Sequence, residues 1–250
     1  MIVKIKVGDL LFSCNLNTGH DISIPFKNDS GVIAFGADAY SSKPYKAGDF
    51  IGALENGSPV NFYNIYINPH GNGTHTESVR HIDNRGLSIY ETLKTSHFVS
   101  KLVTLKPETL NDGDRIINSE HFERLGDIKN VEALIIRTMP NSKKKLEKNY
   151  TGTNPCYVDF EFIQRLNNSE VKHLLIDMPS VDREIDGGKL SAHKAYWQID
   201  KDIAMDKTIT EMIYVDNDIQ DGLYLLNLQT ISVDIDASPS KPIIYALKEI

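Results

Sequence analysis

Three of the eight histidines lie within residues 68–81, which read Asn68-Pro69-His70-Gly71-Asn72-Gly73-Thr74-His75-Thr76-Glu77-Ser78-Val79-Arg80-His81. The run directly upstream, Phe62–Ile67, is aromatic and β-branched, which predicts a strand. The Asn-Pro step and the Gly-Asn-Gly that follow then end this strand. The sequence therefore places three histidines and a carboxylate on a tight loop after a strand, where a rigid scaffold can hold a ligand.

The spacing within this stretch favours a metal or catalytic site. Alternate side chains of an extended chain share a face, so His75 and Glu77 would point the same way and could bind one ion. His81 would lie roughly 20 Å from His75 in an extended chain, so the chain must turn for it to join them. A helical turn over residues 77–81 would make Glu77 and His81 neighbours. Imidazole nitrogen with carboxylate oxygen suits zinc or manganese. The alternative is a polar surface loop that is rich in histidine by chance.

The composition predicts one soluble globular domain spanning residues 1–250, with 40% hydrophobic and 24% charged residues. The net charge of −7 argues against nucleic acid or an anionic membrane as partner. The two cysteines, Cys14 and Cys156, are far apart, which argues against a disulfide framework and fits a cytoplasmic protein. No apolar stretch is long enough to span a membrane, and residues 1–6 lack the features of a signal peptide.

Two apolar runs, Val131–Thr138 and Val171–Asp177, are typical of central strands buried on both faces. Helical spacing over Val158–Leu166 between them predicts a βαβ unit with parallel strands. Further helices are expected at Ser191–Trp197 and at Ser119–Leu125, with Ser119 as the N-cap. Other strands are expected at Ile2–Val7, Leu10–Asn15, Asp21–Ile24, Val32–Phe35, Phe98–Leu105, Asp112–Ile117, Lys207–Tyr214, Leu223–Leu226, Thr230–Asp236 and Ile243–Leu247. A polar turn is expected at Asp236–Ser240, between the last two.

Other polar and aromatic residues carry weaker signals. The loop-rich region 27–60 contains Tyr40, Tyr45 and Phe50, which either line a pocket or fix the loop to the core. The run Lys143–Lys145 predicts a solvated loop, with a phosphate site as the alternative. The remaining histidines with apolar or isolated surroundings, among them His97, His121 and His173, are interpreted as structural or surface residues.

The 68–81 stretch resembles the signature of the cyclase family of metal-dependent hydrolases, which includes kynurenine formamidase and isatin hydrolase. That signature is His-x-Gly-Thr-His-x-Asp-x-Pro-x-His. The chain matches it with Gly73-Thr74-His75, Glu77 in the place of the aspartate, and His81. The proline place holds Val79. The first histidine place falls on Gly71, so either His70 reaches the metal from a reshaped loop or one ligand is missing.

Other segments resemble the same family, in the expected order. Asp21–Pro25 is similar to its Asp-Leu-Ser start, and Met178–Asp182 to a segment that borders the active site. Asp182 would support the site or cap the next turn. Ala192-His193-Lys194 resembles the family's Ala-His-Arg, whose histidine binds metal, and Glu211 occupies the place of a glutamate that bridges the ions.

The resemblance implies a single α/β domain with a mixed, barrel-like sheet core and helices packed outside (the swivelling β/β/α type of the cyclases). It implies one or two Zn²⁺ or Mn²⁺ ions held by His70, His75, Glu77, His193 and Glu211, with His81 as general acid/base. The implied reaction is hydrolysis of an amide or lactam C–N bond of a small molecule, with N-formylkynurenine of tryptophan catabolism as the model substrate. Family members are homodimers or homotetramers. The alternatives are a non-catalytic binding protein with a degraded site, or a lyase or isomerase that uses the same ions.

Overall fold

A computed structural model describes all residues from 1 to 250. The strands, in chain order, are β1 (Ile2–Val7), β2 (Leu10–Asn15), β3 (His20–Asp21), β4 (Ser41–Pro44), β5 (Lys46–Ala47), β6 (Phe50–Ile51), β7 (Tyr63–Tyr66), β8 (His75–Ser78), β9 (His97–Leu105), β10 (Glu108–Thr109), β11 (Arg115–Ile117), β12 (Ala133–Thr138), β13 (Tyr157–Val158), β14 (His173–Ile176), β15 (Thr208–Glu211), β16 (Gly222–Asn227), β17 (Ala237–Pro239), β18 (Ile243–Ala246) and β19 (Lys248–Glu249). The α-helices are α1 (Pro69–Asn72), α2 (Ile89–Thr92), α3 (Phe160–Leu166) and α4 (Ser191–Trp197), and 3₁₀ helices cover Leu54–Asn56, Val79–His81, Ser119–Leu125 and Lys143–Glu147.

A nine-stranded mixed sheet with the order β17-β8-β15-β14-β12-β9-β16-β18-β3 forms the centre of the molecule. The four middle strands β9, β12, β14 and β15 are parallel, and the strands on either side of them are antiparallel. The predicted βαβ unit is confirmed, because β12 and β14 pair in parallel through α3. The predicted single α/β architecture, with a barrel-like mixed sheet and helices outside, is likewise confirmed.

The apolar run of β12 is buried on both faces of the sheet, as its sequence predicts. Leu134 and Ile136 face the cluster that α3 and α4 cover, where Trp197 is fully buried. Ala133 and Ile135 alternate with them and face the second core cluster on the opposite side. No helix in the structure combines the length and the apolar character that a membrane crossing requires.

Several predicted boundaries are wrong, and the C-terminal region differs most. Thr230–Asp236 is not a strand, because Asp236 O and Ile235 O accept hydrogen bonds from Ser78 N and Ile89 N outside any regular ladder. The strand begins instead at Ala237, in the segment predicted as a turn, and pairs with β8. Asp21–Ile24 shrinks to the two-residue β3. Val32–Phe35 makes only an isolated bridge at Ile33.

Two smaller corrections concern a cap and a lysine. The 3₁₀ helix Ser119–Leu125 has Asn118 as its N-cap rather than Ser119, because the Asn118 side chain accepts from the backbone of Glu120. Lys145 is not solvated: its ammonium lies 2.7 Å from the buried carboxylate of Asp177. The lysine run is therefore split between an internal ion pair and the surface.

His173 is a structural histidine, as predicted, and it makes stability depend on pH. Its ring is buried, its Nδ1 lies 2.8 Å from Thr208 Oγ1, and burial lowers its pKa to about 4. The unfolded chain, with a histidine pKa of about 6.5, binds this proton more readily, so the folded state loses stability as the pH falls through this window. At pH 5 the loss from His173 is about 2 kcal/mol relative to pH 7.

The His173→Asn variant tests this, because asparagine keeps a polar atom near the Nδ1 position but does not titrate. Urea unfolding of both proteins at pH 7 and pH 5 gives the measurement. We expect the wild type to lose about 2 kcal/mol more than the variant between these values. Equal losses in the two proteins would show that the pKa of His173 is not lowered in the folded state.

Candidate metal centre

β8 carries two candidate ligands into the interior of the sheet. It lies between β15 and β17, and its side chains are fully buried. His75 and Glu77 share one face, as the alternation predicts, while Thr76 points to the other and pairs with Thr210 across the strands. His75 is the register partner of Glu211 on β15. Two strands far apart in sequence thereby place a histidine and two glutamates side by side.

The chain turns sharply after β8 and brings His81 back to the same face. Residues Val79–His81 form a 3₁₀ helix, so the helical turn predicted from the spacing is present in a tighter form. His81 Nε2 lies 3.8 Å from Glu77 Oε2. The imidazole of His81 is about one third exposed and forms the outer edge of the site.

His70 reaches the site although it stands one position before the first histidine of the cyclase signature. Its Nδ1 lies 3.3 Å from Glu77 Oε2. The signature position itself is occupied by Gly71, which is packed against residues 34–37: a Cβ on Gly71 would lie 2.3 Å from the Cβ of Ala37. Since no side chain fits at Gly71 without moving this segment, the short helix α1 presents its neighbour His70 instead.

His193 enters from the opposite side, on helix α4. Asp182 accepts hydrogen bonds from the backbone N–H groups of Ala192 and His193 and thus satisfies the start of this helix. The same carboxylate lies 2.6 Å from His193 Nδ1. Asp182 therefore has both of the roles that the sequence suggested. It accepts from the first N–H groups of helix α4, and it orients the His193 ring.

The four imidazoles share one arrangement, in which one ring nitrogen is held from outside and the other faces a glutamate. His75 Nδ1 donates to Gly73 O at 3.0 Å, which leaves Nε2 facing Glu211 Oε2 at 3.5 Å. With His193 Nδ1–H donated to Asp182, His193 Nε2 lies 3.0 Å from Glu77 Oε1. Histidines that bind metals characteristically donate their second N–H to an oxygen in this way.

Asp236 accepts the corresponding N–H of the other two histidines, a role that the sequence analysis did not predict. Its Oδ2 lies 2.8 Å from His70 Nε2 and 3.0 Å from His81 Nδ1. With both N–H groups donated to Asp236, the second ring nitrogens of His70 and His81 both face Glu77 Oε2. The segment Asp236–Ser240 looked like a polar turn, and only the pairing of β17 with β8 brings the carboxylate to the site.

The charges of the cluster shift several pKa values. Burial disfavours the imidazolium of His70, but the hydrogen bond to Asp236 and the negative charge of Glu77 outweigh it and raise its pKa to about 10. The pKa of His193 is likewise raised to about 10, because Asp182 and Glu77 overcome the effect of burial. Burial favours the neutral form of Glu77, yet the imidazoles of His81 and His193 hold its pKa well below the usual range. Glu77 is thus ionised and available as a ligand, and a bound metal ion would displace the protons that His70 and His193 hold at neutral pH.

The donor set fits metal ions. Two groups of three residues have ligand atoms within 4.8 Å of one another: His70, Glu77 and His81, and His75, Glu77 and Glu211. Glu77 belongs to both groups. His75 Nε2 and Glu77 Oε2 are buried and have no hydrogen-bond partner, so both are free to bind an ion. Either group could supply ligands to a divalent ion, and Glu77 could serve both.

A cavity of about 260 Å³ opens onto the cluster. His70, His81, His193 and Glu211 lie on its floor. Its walls combine two apolar side chains, Phe35 and Leu190, with polar ones, Ser180, Asp182, Arg183, Glu184 and Asp186. This volume suits a small organic molecule rather than a polymer.

Some residues considered from the sequence lie elsewhere. Tyr45 packs edge-to-face on the exposed Phe62, and Tyr40 lies near Phe26. Neither tyrosine lines this cavity, and neither does Phe50, which is exposed. His121 belongs to the cap of a 3₁₀ helix, and His97 contacts Asn227. They play structural roles.

The Asp236→Asn substitution should weaken metal binding by about 10–100-fold, because loss of an outer carboxylate releases the tautomers of His70 and His81. Titration with a competing chelator measures the affinity. Asp234→Asn is the matched control: Asp234 is two residues away, largely exposed, and bonded to Arg80 rather than to a histidine. Equal affinities of the two variants would show that Asp236 does not position the ligands.

Comparison with known proteins agrees with this geometry. The sequence matches the Cyclase family model over residues 20–183. No curated protein sequence matches the chain.

Solved structures with the same fold include a potential metal-dependent hydrolase with cyclase activity, at 16% identity and a TM-score of 0.65, covering 91% of this chain and 97% of the other. Isatin hydrolase A from Labrenzia aggregata is similar at 16% identity and a TM-score of 0.64, covering 92% and 94%. Isatin hydrolase A from Ralstonia solanacearum gives 12% identity and a TM-score of 0.66, covering 92% of each chain.

Proposed function

The chain belongs to the cyclase family, and on this premise we propose that it is a metal-dependent hydrolase that cleaves an amide or lactam C–N bond of a small molecule. One observation carries the proposal: each of four histidines turns one ring nitrogen toward Glu77 or Glu211 while its other nitrogen is held by an oxygen outside the cluster. A merely structural cluster has no need to direct four ring nitrogens at the same two carboxylates.

We propose that His70, His75, Glu77, His193 and Glu211 hold one or two divalent ions. Mixed imidazole and carboxylate ligands suit zinc and manganese alike. A divalent ion bound here would supply a nucleophilic water at neutral pH and polarise the scissile carbonyl. The protein's own part is to fix the ligands, to exclude bulk water from the buried face of β8, and to orient the substrate in the cavity.

His81 is the proposed general acid/base. His81 lines the cavity, and with Nδ1–H donated to Asp236 its Nε2 can move a proton to the leaving nitrogen. The structure offers a second role, because His81 also lies within reach of a metal group with His70 and Glu77. The longer distance of His81 Nε2 from Glu77 Oε2, 3.8 Å against 3.3 Å for His70 Nδ1, favours the proton-transfer role.

The His81→Gln substitution separates the two roles. If His81 is an acid/base, activity should fall by about 10²–10⁴-fold while metal content stays at the wild-type level. Metal analysis and kcat measured on the same preparations give the test. A parallel loss of metal would assign His81 to the ligands instead, and full activity would exclude both roles.

For the substrate, we propose an N-formylkynurenine-type aryl formamide, with a lactam such as isatin as the second candidate within the same reaction class. Two of the similar structures described above are isatin hydrolases. The cavity of about 260 Å³ has Phe35 and Leu190 to contact an aromatic ring and polar groups around them.

A non-catalytic binding protein was the alternative drawn from the absent first histidine and the changed acid of the signature. The position of His70 Nδ1, 3.3 Å from Glu77 Oε2, supports the hydrolase over that alternative. The choice of hydrolase over lyase or isomerase rests on the family alone.

Elemental mass spectrometry of the purified protein is the first experiment, with the His75→Ala/Glu77→Ala double variant as the comparison. We expect about one or two zinc or manganese ions per chain, lost in the variant. The metal-loaded protein is then assayed on N-formylkynurenine and on isatin. Absence of metal after reconstitution with both ions would overturn the proposal. Metal without hydrolysis of either compound would restrict it to metal binding.

We also propose that the protein is a homodimer or homotetramer, as the family resemblance implies. Sedimentation velocity tests this, and a monomer at micromolar concentration would contradict it.

A further inference from the structure

A second cavity, of about 280 Å³, lies apart from the metal centre and shares no lining residue with the metal cavity. Residues that directly follow the parallel strands β9, β12 and β14, among them Pro107, Met139 and Asp177, line it. It therefore sits at the carboxyl ends of adjacent parallel strands. Open α/β sheets characteristically bind ligands at this edge.

The lining of this cavity is strongly cationic in a chain whose net charge is −7. Four cationic side chains, Arg115, Lys144, Lys145 and Lys148, face a single carboxylate, Asp177. Lys145 and Asp177 satisfy each other at 2.7 Å, and Thr138 bonds to both. The floor of the cavity is therefore a completed ion pair, which leaves the other three cations without a counter-charge from the lining.

None of these three cations forms a salt bridge or a side-chain hydrogen bond within the protein. Lys148 packs over the ring of Tyr150, with Nζ at 4.6 Å from its centroid, which holds the ammonium toward the cavity. Burial lowers the pKa of Lys148, and the positive charges of Arg115 and Lys145 lower it further. The positive charges of Arg115, Lys145 and Lys148 therefore lie close enough together to repel one another.

We propose that this cavity binds a small multivalent oxyanion, either a phosphorylated or a polycarboxylated metabolite. Such an anion would neutralise Arg115, Lys144 and Lys148 together, and Arg115 can bind one of its groups through two parallel N–H bonds. The hydroxyl groups of Thr138 and Ser142 add neutral polar groups to the same lining. Of the lysine run Lys143–Lys145, Lys145 thus forms the ion pair with Asp177, and Lys144 supplies a charge for the ligand.

Isothermal titration calorimetry with inorganic phosphate and with tricarballylate, at low ionic strength, tests the proposal on the full-length, metal-loaded protein. The two probes distinguish phosphate from polycarboxylate as the preferred chemistry. We expect saturable binding with one site per chain for at least one probe. Arg115→Gln and Lys144→Gln should each weaken it about ten-fold or more, since each removes a charge-assisted contact.

Lys143→Gln is the matched control. Lys143 is adjacent in sequence and loses the same charge, but it is exposed and does not line the cavity. Its variant should bind the anion as the wild type does. Binding that survives both cavity substitutions would place the anion elsewhere, for instance on the metal ions. Equal weakening by Lys143→Gln would indicate general surface electrostatics. Either result, or no saturable binding of either probe, would overturn the proposal.

Discussion

A Glu77→Gln variant should lose its metal, with affinity reduced by more than about 100-fold, because Glu77 belongs to both groups of candidate ligands. Each of its oxygens faces a different set of histidines: Oε1 faces His193, and Oε2 faces His70 and His81. Glutamine has the same shape and can still form a hydrogen bond with His193 Nε2, so the substitution removes charge rather than packing. Hydrolytic activity should fall to background with the metal.

Two measurements check this expectation. Elemental analysis gives the metal content, and thermal unfolding with and without a chelator shows whether the ion still stabilises the fold. The wild type should lose stability on chelation, whereas Glu77→Gln should not respond. Glu77→Asp keeps the charge that the family signature carries and should retain part of the metal. A Glu77→Gln protein with full metal content would exclude the shared carboxylate.

Moving the ligand from His70 to the family position should fail. His70→Ala removes one candidate ligand and should weaken metal binding at least about ten-fold. Adding Gly71→His supplies the signature histidine, but its Cβ would lie 2.3 Å from the Cβ of Ala37. The double variant should therefore remain metal-poor and lose about 1–3 kcal/mol of stability to overpacking.

A third substitution tests the cause. Ala37→Gly removes the methyl group in question, and the next contacts of the new Cβ, at 3.4 Å or more, are ordinary. The triple variant His70→Ala/Gly71→His/Ala37→Gly should recover stability in urea unfolding. Metal content then reports whether a histidine at position 71 can reach Glu77. Wild-type metal binding by the double variant would show that residues 34–37 do not dictate the choice of histidine.

The central strands were predictable from sequence because their signal is local. β12 and β14 are continuous apolar runs, and a strand buried on both faces requires nothing more. Helix α4 was predicted with its observed ends. By contrast, the two-residue strands and β17 were missed, because so few residues have no periodicity of their own. β17 exists only through its pairing with β8.

The residues of the candidate site were likewise predictable where their signal is local and not where it depends on distant contacts. His75 and Glu77 followed from alternation within one strand, and His81 from a turn. His193 and Glu211 required the family resemblance, since nothing local sets them apart from structural residues. The parts that escaped prediction depend on non-local contacts: Asp236 is 166 residues from His70, and the exclusion of a side chain at Gly71 arises from Ala37. Similarly, Lys145 forms an internal ion pair while Lys143 stays exposed because of the position of Asp177, which the sequence around the lysines does not reveal.

The place of β8 in the sheet constrains when the site can form during synthesis. This early strand pairs on one side with β15 and on the other with β17, and both are translated after residue 200. A ribosome that has released residues 1–200 has exposed His70, His75 and Glu77, yet neither of the strands that pair with β8. Folding from the N-terminus, which many domains follow, cannot complete this sheet. Metal loading must therefore wait at least until Glu211, the last of the proposed ligands, has emerged, and a chain truncated before β17 lacks Asp236 and should bind its ions more weakly.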